Sequence, residues 1–98
     1  MSLPVVFLGE AEAEFAEAQA WYEERSPGPG QAFVTSVQAA VERIRRSPLS
    51  FPTVDGALRR ALVRRFPFGI VSLADSERVV VVAVFHAARD PRAWRTRG

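Results

Sequence analysis

The chain has a single imidazole, His86, and no thiol. Imidazole is the side chain whose ordinary pKa, about 6.5, allows proton transfer near neutrality, so acid–base chemistry would centre there. Cations suited to an anion are plentiful: Arg59, Arg60, Arg64 and Arg65 fall within seven positions, and Arg89 follows the histidine. A guanidinium fork matches phosphate or carboxylate oxygens two at a time. Asp55 and Asp90 are the carboxylates that join this pool. Each group also has a plainer reading. His86 fits a hydrogen-bonded residue closing a strand, Arg89 fits local pairing with Asp90, and the clustered arginines fit a solvated strand face or a surface for an acidic partner.

Several chemistries are excluded or disfavoured. Without cysteine there is neither a disulfide framework nor a thiolate zinc site. One histidine argues against a multi-His metal centre, and no phosphate-cradling Gly loop or nucleotide fingerprint is present, so no metal or cofactor is expected. The 98 residues suit one small domain spanning 1–98, and 48% apolar with 24% charged residues is ordinary for a soluble protein. No apolar run reaches the ~18 residues of a membrane span, and Met-Ser-Leu-Pro is unlike a signal peptide. A cytoplasmic location without membrane contact is the expectation. The net charge of +2 is split unevenly: residues 1–50 carry −3 and residues 51–98 carry +5. All thirteen basic residues are arginine, which suits anion recognition but follows more simply from biased codon usage.

Positioning these groups requires a scaffold whose outline the patterning gives. Pro4 to Leu8 is a short β-rich run. From Glu10 the period becomes helical: Ala11, Phe15, Ala18 and Tyr22 form one apolar stripe, while Glu10, Glu12, Glu14 and Glu17 complement the helix dipole. Trp21 and Tyr22 read as core or hairpin-packing residues. Ser26-Pro27-Gly28-Pro29-Gly30 ends the helix. Phe33, Val37, Ala40, Val41 and Ile44 mark a second helix closed by Ser47-Pro48, so the two form an antiparallel hairpin.

After a loop around Phe51 to Gly56, strand-like runs cover about 57–66, 68–74 and 78–86, with a hairpin turn at Asp75-Ser76-Glu77. Val79 to Phe85 is apolar throughout, which predicts a central strand buried on both faces. Leu58 to Phe66 places Arg60 and Arg64 on one face and Arg59 and Arg65 on the other, which predicts a bulge or an edge position. The fold class is α+β, β-α-α-β-β-β, with the helical hairpin packed on a mainly antiparallel four-stranded sheet.

This order, with its local motifs, resembles the RelE/ParE family of toxins from type II toxin–antitoxin systems, and within it the plasmid-stabilisation, ParE-like branch. The resemblance rests on the Ala/Glu-rich first helix ending in Trp21-Tyr22-Glu23, and on Ile44, Ser47-Pro48 and Phe51-Pro52. It rests further on Leu58-Arg59-Arg60, on Arg64-Arg65-Phe66-Pro67-Phe68, and above all on the tail from Val84 through His86, Arg89, Pro91 and Trp94. It implies a protein that arrests growth unless a cognate antitoxin neutralises it. The ParE-like branch blocks DNA gyrase, the target favoured here. The RelE-like branch cleaves mRNA on the ribosome without a metal, and a degenerate non-toxic relative is the blander alternative.

Under the ribonuclease reading, one group takes the 2′-hydroxyl proton, one neutralises charge on phosphorus, and one protonates the leaving oxygen. His86, Arg64 and Arg89 are the candidates for those roles. RelE-like ribonucleases usually place an aromatic hydroxyl or a histidine near the end of the chain, where this chain has Trp94, and an indole moves no proton. Arg59, Arg60, Arg65 and Trp94 are the candidate partner or nucleic-acid contacts, with Trp94 also read as packing the tail onto the sheet. Self-association is left open. An acidic antitoxin segment is expected to meet the basic cluster around Arg60 to Arg65.

Overall fold

The computed structural model describes residues 3–25 and 28–97. Its elements are β1 (Val5–Phe7), α1 (Gly9–Arg25), α2 (Pro29–Arg46), a 3-10 turn at Pro48–Ser50, β2 (Thr53–Asp55), β3 (Leu58–Val63), β4 (Phe68–Ala74), β5 (Val79–His86) and α3 (Arg92–Arg95). One sheet runs β1-β5-β4-β3-β2; β1 pairs with β5 in parallel and every other pair is antiparallel. The fold class is the expected one.

The sheet has five strands rather than four. Part of the stretch read as a loop, Thr53–Asp55, forms β2 and covers the start of β3. Three residues with a register irregularity carry no period-2 signal, which is why the sequence does not show this strand. β3 is therefore not a free edge along its first half, and the irregularity lies in its pairing with β2. β3 ends at Val63, short of Phe66, because Arg65 takes a left-handed backbone (φ 73°) and Pro67 has no N–H to give.

The helical hairpin covers one face of the sheet. Phe33, Val37, Ala40 and Ile44 of α2 are fully buried, as their spacing requires, against Ala61, Val63, Ile70, Val79, Val81 and Val84. On α1 the buried positions are Ala11, Glu14 and Ala18, with Phe15 and Tyr22 half-buried. Trp21 departs from its core reading and is 50% exposed. Ser26 and Pro27 of the interhelical turn lie outside the described residues; Gly28, which follows them, has φ 99°, a conformation glycine adopts without a Cβ penalty.

β5 is buried from Val79 to Phe85 except for half-exposed Val80, in line with the expectation of a central strand. It contains one extra residue. Ser72 pairs with Val81 but Val71 pairs with Ala83, so Val82 is bulged. Val82 and Ala83 both fall in the second apolar cluster, with Leu58, Val71, Phe85 and Trp94, on the face away from the helices. The bulge returns Val84, and with it His86, to the helix side.

The predicted turn at Asp75 forms, its Oδ1 accepting the backbone N–H of Glu77 (2.8 Å) and of Arg78 (2.9 Å). These two donors hold the Asp75 carboxyl below its ordinary value.

Candidate functional site

β1 pairs with β5 only as far as Phe7 and Val81, and Leu8 adds one further N–H to the Val81 carbonyl. Beyond that point the edge of β5 is satisfied by side chains. Glu14 Oε1 accepts the Val84 N–H at 3.1 Å, and Arg97 Nη1 donates to the Val82 carbonyl at 3.2 Å. Arg97 also grips Glu14 through two bonds, at 2.8 and 3.1 Å. This contact holds the Arg97 guanidinium above its ordinary value. Glu14, one of the acids expected to complement the helix dipole, is instead buried, because the β5 edge needs an acceptor there. Ala11, Glu14 and Ala18 share one helical face, but an acid in that stripe is not a sequence signal without its partner.

Next to this contact, between the C-terminal half of α1 and the end of β5, opens a cleft of about 640 Å³ lined by Glu17, Trp21, Tyr22, Phe68, His86 and Arg89, among others. Its aromatic wall is continuous with the core. Tyr22 meets Phe66 edge-on at 4.9 Å and Phe33 at 5.3 Å, and burial pushes its hydroxyl above the ordinary value. Trp21 stands at the rim, edge-on to Tyr22 at 5.0 Å, with the Arg25 guanidinium 3.5 Å over its ring.

His86 packs edge-on to Phe68 at 5.3 Å, and its Nδ1 accepts the Ala88 N–H at 3.0 Å. A neutral His86 so placed carries its proton on Nε2. Among the described residues no hydrogen bond joins it to a carboxylate or hydroxyl. Arg89 lines the same cleft and lies 3.8 Å from Glu14, a loose contact because Arg97 already engages both carboxylate oxygens. The expected Arg89–Asp90 pair does not form. Asp90 accepts from Arg92 instead, through its backbone N–H (2.9 Å) and its Nε (2.8 Å), which holds the Asp90 carboxyl below its ordinary value.

Of the three groups assigned to RNA cleavage, the cleft brings together His86 and Arg89. Arg64 is exposed in the β3–β4 turn and does not line it. Of the candidate contact residues, Arg60 and Arg65 are exposed, as is Arg64. Arg59 is engaged, its Nη1 donating to the Phe51 carbonyl at 2.7 Å. Trp94 is only 4% exposed and packs on Phe85 with ring centroids 5.5 Å apart. Its packing role is the one the tertiary structure realises, since no open face remains for stacking a base. Among the described residues no cluster of His, Asp or Glu has a metal-ligand arrangement, and no helix is long and apolar enough to cross a membrane.

The family model described as the ParE toxin of the type II toxin–antitoxin system parDE matches residues 5–91. The chain belongs to this family of type II toxins. Among solved structures it is similar to the "Chromosomal ParDE TA system from P. aeruginosa", with a TM-score of 0.73 and 13% identity, over 87% of this chain and 96% of that one. At that identity the likeness is one of fold. No curated protein matches by sequence.

Proposed function

We propose that this protein is the growth-arresting half of a two-protein module, that it acts by occupying a protein target, DNA gyrase, and that a cognate antitoxin neutralises it. The observation that carries the binding mode over RNA cleavage is the state of His86. Its Nδ1 is spent on the Ala88 N–H, and no second proton-transfer group is hydrogen-bonded to it among the described residues. A metal-independent ribonuclease needs two proton-transfer groups and a cation held around one phosphate. Here the cleft holds one cation, Arg89, beside His86, while Arg64 stands apart and the tail position carries a buried indole. The family match supports the same reading, since the resemblance to the ParE-like branch implies gyrase rather than the ribosome.

The test is inducible expression in a sensitive bacterium, wild type beside His86→Ala, following growth, message integrity and DNA supercoiling. Arrest with filamentation, intact messages and lost supercoiling in both forms supports the proposal. Rapid message cleavage that His86→Ala abolishes replaces it with the ribonuclease reading, and no arrest in either form leaves a non-toxic relative. Neutralisation is tested by co-expressing the product of the adjacent reading frame, which is expected to restore growth.

A further inference from the structure

One backbone turn builds the polar end of the cleft between α1 and β5. Ala88 donates its N–H to His86 Nδ1 at 3.0 Å, and Arg89 donates its N–H to the His86 carbonyl, also at 3.0 Å. The Ala87 N–H reaches the Pro67 carbonyl at 2.8 Å, which ties the turn to the β3–β4 hairpin. These bonds fix the imidazole tautomer, and its Nε2–H has no acceptor among the described residues. The Arg89 side chain likewise makes no hydrogen bond among the described residues. Its 3.8 Å approach to Glu14 meets a carboxylate whose two oxygens Arg97 already holds. Two preset donors therefore line the cleft with nothing to donate to.

The rest of the wall is aromatic. Phe68 lies 5.3 Å from His86 and 6.3 Å from Tyr22, and Trp21 extends the surface outward, 5.0 Å from Tyr22. At about 640 Å³ the cleft has the size of a small-molecule site, and an apolar wall with a few placed donors is the usual make-up of one. Its charges select the ligand further. Glu14 is neutralised by Arg97, which leaves Glu17 against Arg89 among the charged groups lining the cleft. One negative charge set between Arg89 and His86 is matched there. A dianion would find no second cation and would be repelled by Glu17.

We propose that this cleft binds a small aromatic carboxylate, a free monoanion of metabolite size. The carboxylate accepts from the Arg89 guanidinium and from His86 Nε2–H, and the ring lies against Tyr22 and Phe68 with Trp21 closing the rim. The turn at His86 to Arg89 sets both donors before the ligand arrives, so little ordering is needed on binding. The site goes beyond the toxin function proposed above and does not rest on it.

The probes are naphthoate, the neutral naphthylmethanol and the dianionic naphthyl phosphate, titrated to millimolar concentration into the intact protein and followed by NMR. Naphthoate is expected to shift the Trp21 indole, the His86 ring and the Ala88 and Arg89 amides. It should bind about tenfold or more tightly than naphthylmethanol, the difference a charge-assisted hydrogen bond makes, and more tightly than naphthyl phosphate. Arg89→Gln should bring naphthoate down to the affinity of the alcohol and leave the alcohol unchanged. Arg89 is exposed, and unchanged amide shifts in α2 confirm that the variant is folded. No shifts at millimolar naphthoate, or shifts confined to another surface such as that around Asp55 and Arg95, overturn the proposal. So does equal affinity for naphthoate and the alcohol, or unchanged naphthoate affinity in folded Arg89→Gln. Tighter binding of naphthyl phosphate overturns it in favour of a phosphate site.

Discussion

Glu14 and Arg97, 83 residues apart in sequence, form a two-bond ion pair that stands in for a missing strand beside β5. β1 stops too early to cover that edge, so one helix side chain and one tail side chain share the outward-facing Val84 N–H and Val82 carbonyl. The pair also closes the tail over the sheet, because Trp94, three residues earlier, is buried against Phe85.

Removing one partner strands the other in a mostly buried site. Glu14→Ala is expected to cost about 3–5 kcal/mol, the range for breaking a buried pair. Glu14→Gln should cost less, because its amide oxygen still accepts from Val84. Urea unfolding of the two variants checks the order, and equal losses would mean that the Val84 contact contributes nothing.

The two tryptophans differ in accessibility, 50% for Trp21 against 4% for Trp94. Quenching by acrylamide is expected to resolve an accessible and a protected population. Trp21→Phe should remove the accessible one and leave stability within about 0.5 kcal/mol. Trp94→Ala should cost about 3–5 kcal/mol by opening a cavity under the tail.

Phe33 and Leu62 are both large and apolar yet lie at opposite extremes of burial, 0% and 64% exposed. Phe33 also touches Phe15, Tyr22, Phe66 and Phe68. Phe33→Ala is expected to lose about 3–5 kcal/mol in thermal or urea unfolding, and Leu62→Ala to stay within about 0.5 kcal/mol.

Asp75 and Asp90 have folded-state carboxyls held below the ordinary 3.8 by their hydrogen bonds. A depressed carboxyl stabilises the fold above its unfolded pKa, and that contribution is lost as pH falls through the folded value. Stability should therefore decline below about pH 4, and the decline should be shallower in Asp75→Asn with Asp90→Asn. Carboxyl carbon shifts followed by NMR should place both midpoints below 3.8. Midpoints above that value would show that the hydrogen bonds are not formed in solution.

The strongly periodic segments were legible before any tertiary contact was known. Of the α2 stripe, Phe33, Val37, Ala40 and Ile44 are fully buried and Val41 is half-buried, and Val79 to Phe85 is a central strand, because long runs of apolar residues leave few ways to be hidden from water. The turn at Asp75 and the family resemblance were equally legible in local residue types. β2 escaped notice because three irregular residues carry no period. Helical spacing gives the width of an apolar stripe poorly, and Trp21 stands at its margin, half exposed beside the cleft. The candidate site depended on contacts between distant segments. The bulge at Val82 decides that His86 faces the cleft: strict alternation from Val79 would have turned it to the other side of the sheet. Only the meeting of α1, β5 and the tail could show that Arg97 makes the two-bond pair with Glu14, and that Asp90 pairs with Arg92 and not with Arg89. Pairings of this kind are set by which backbone groups lack partners once the strands are assembled, a quantity that no single segment contains.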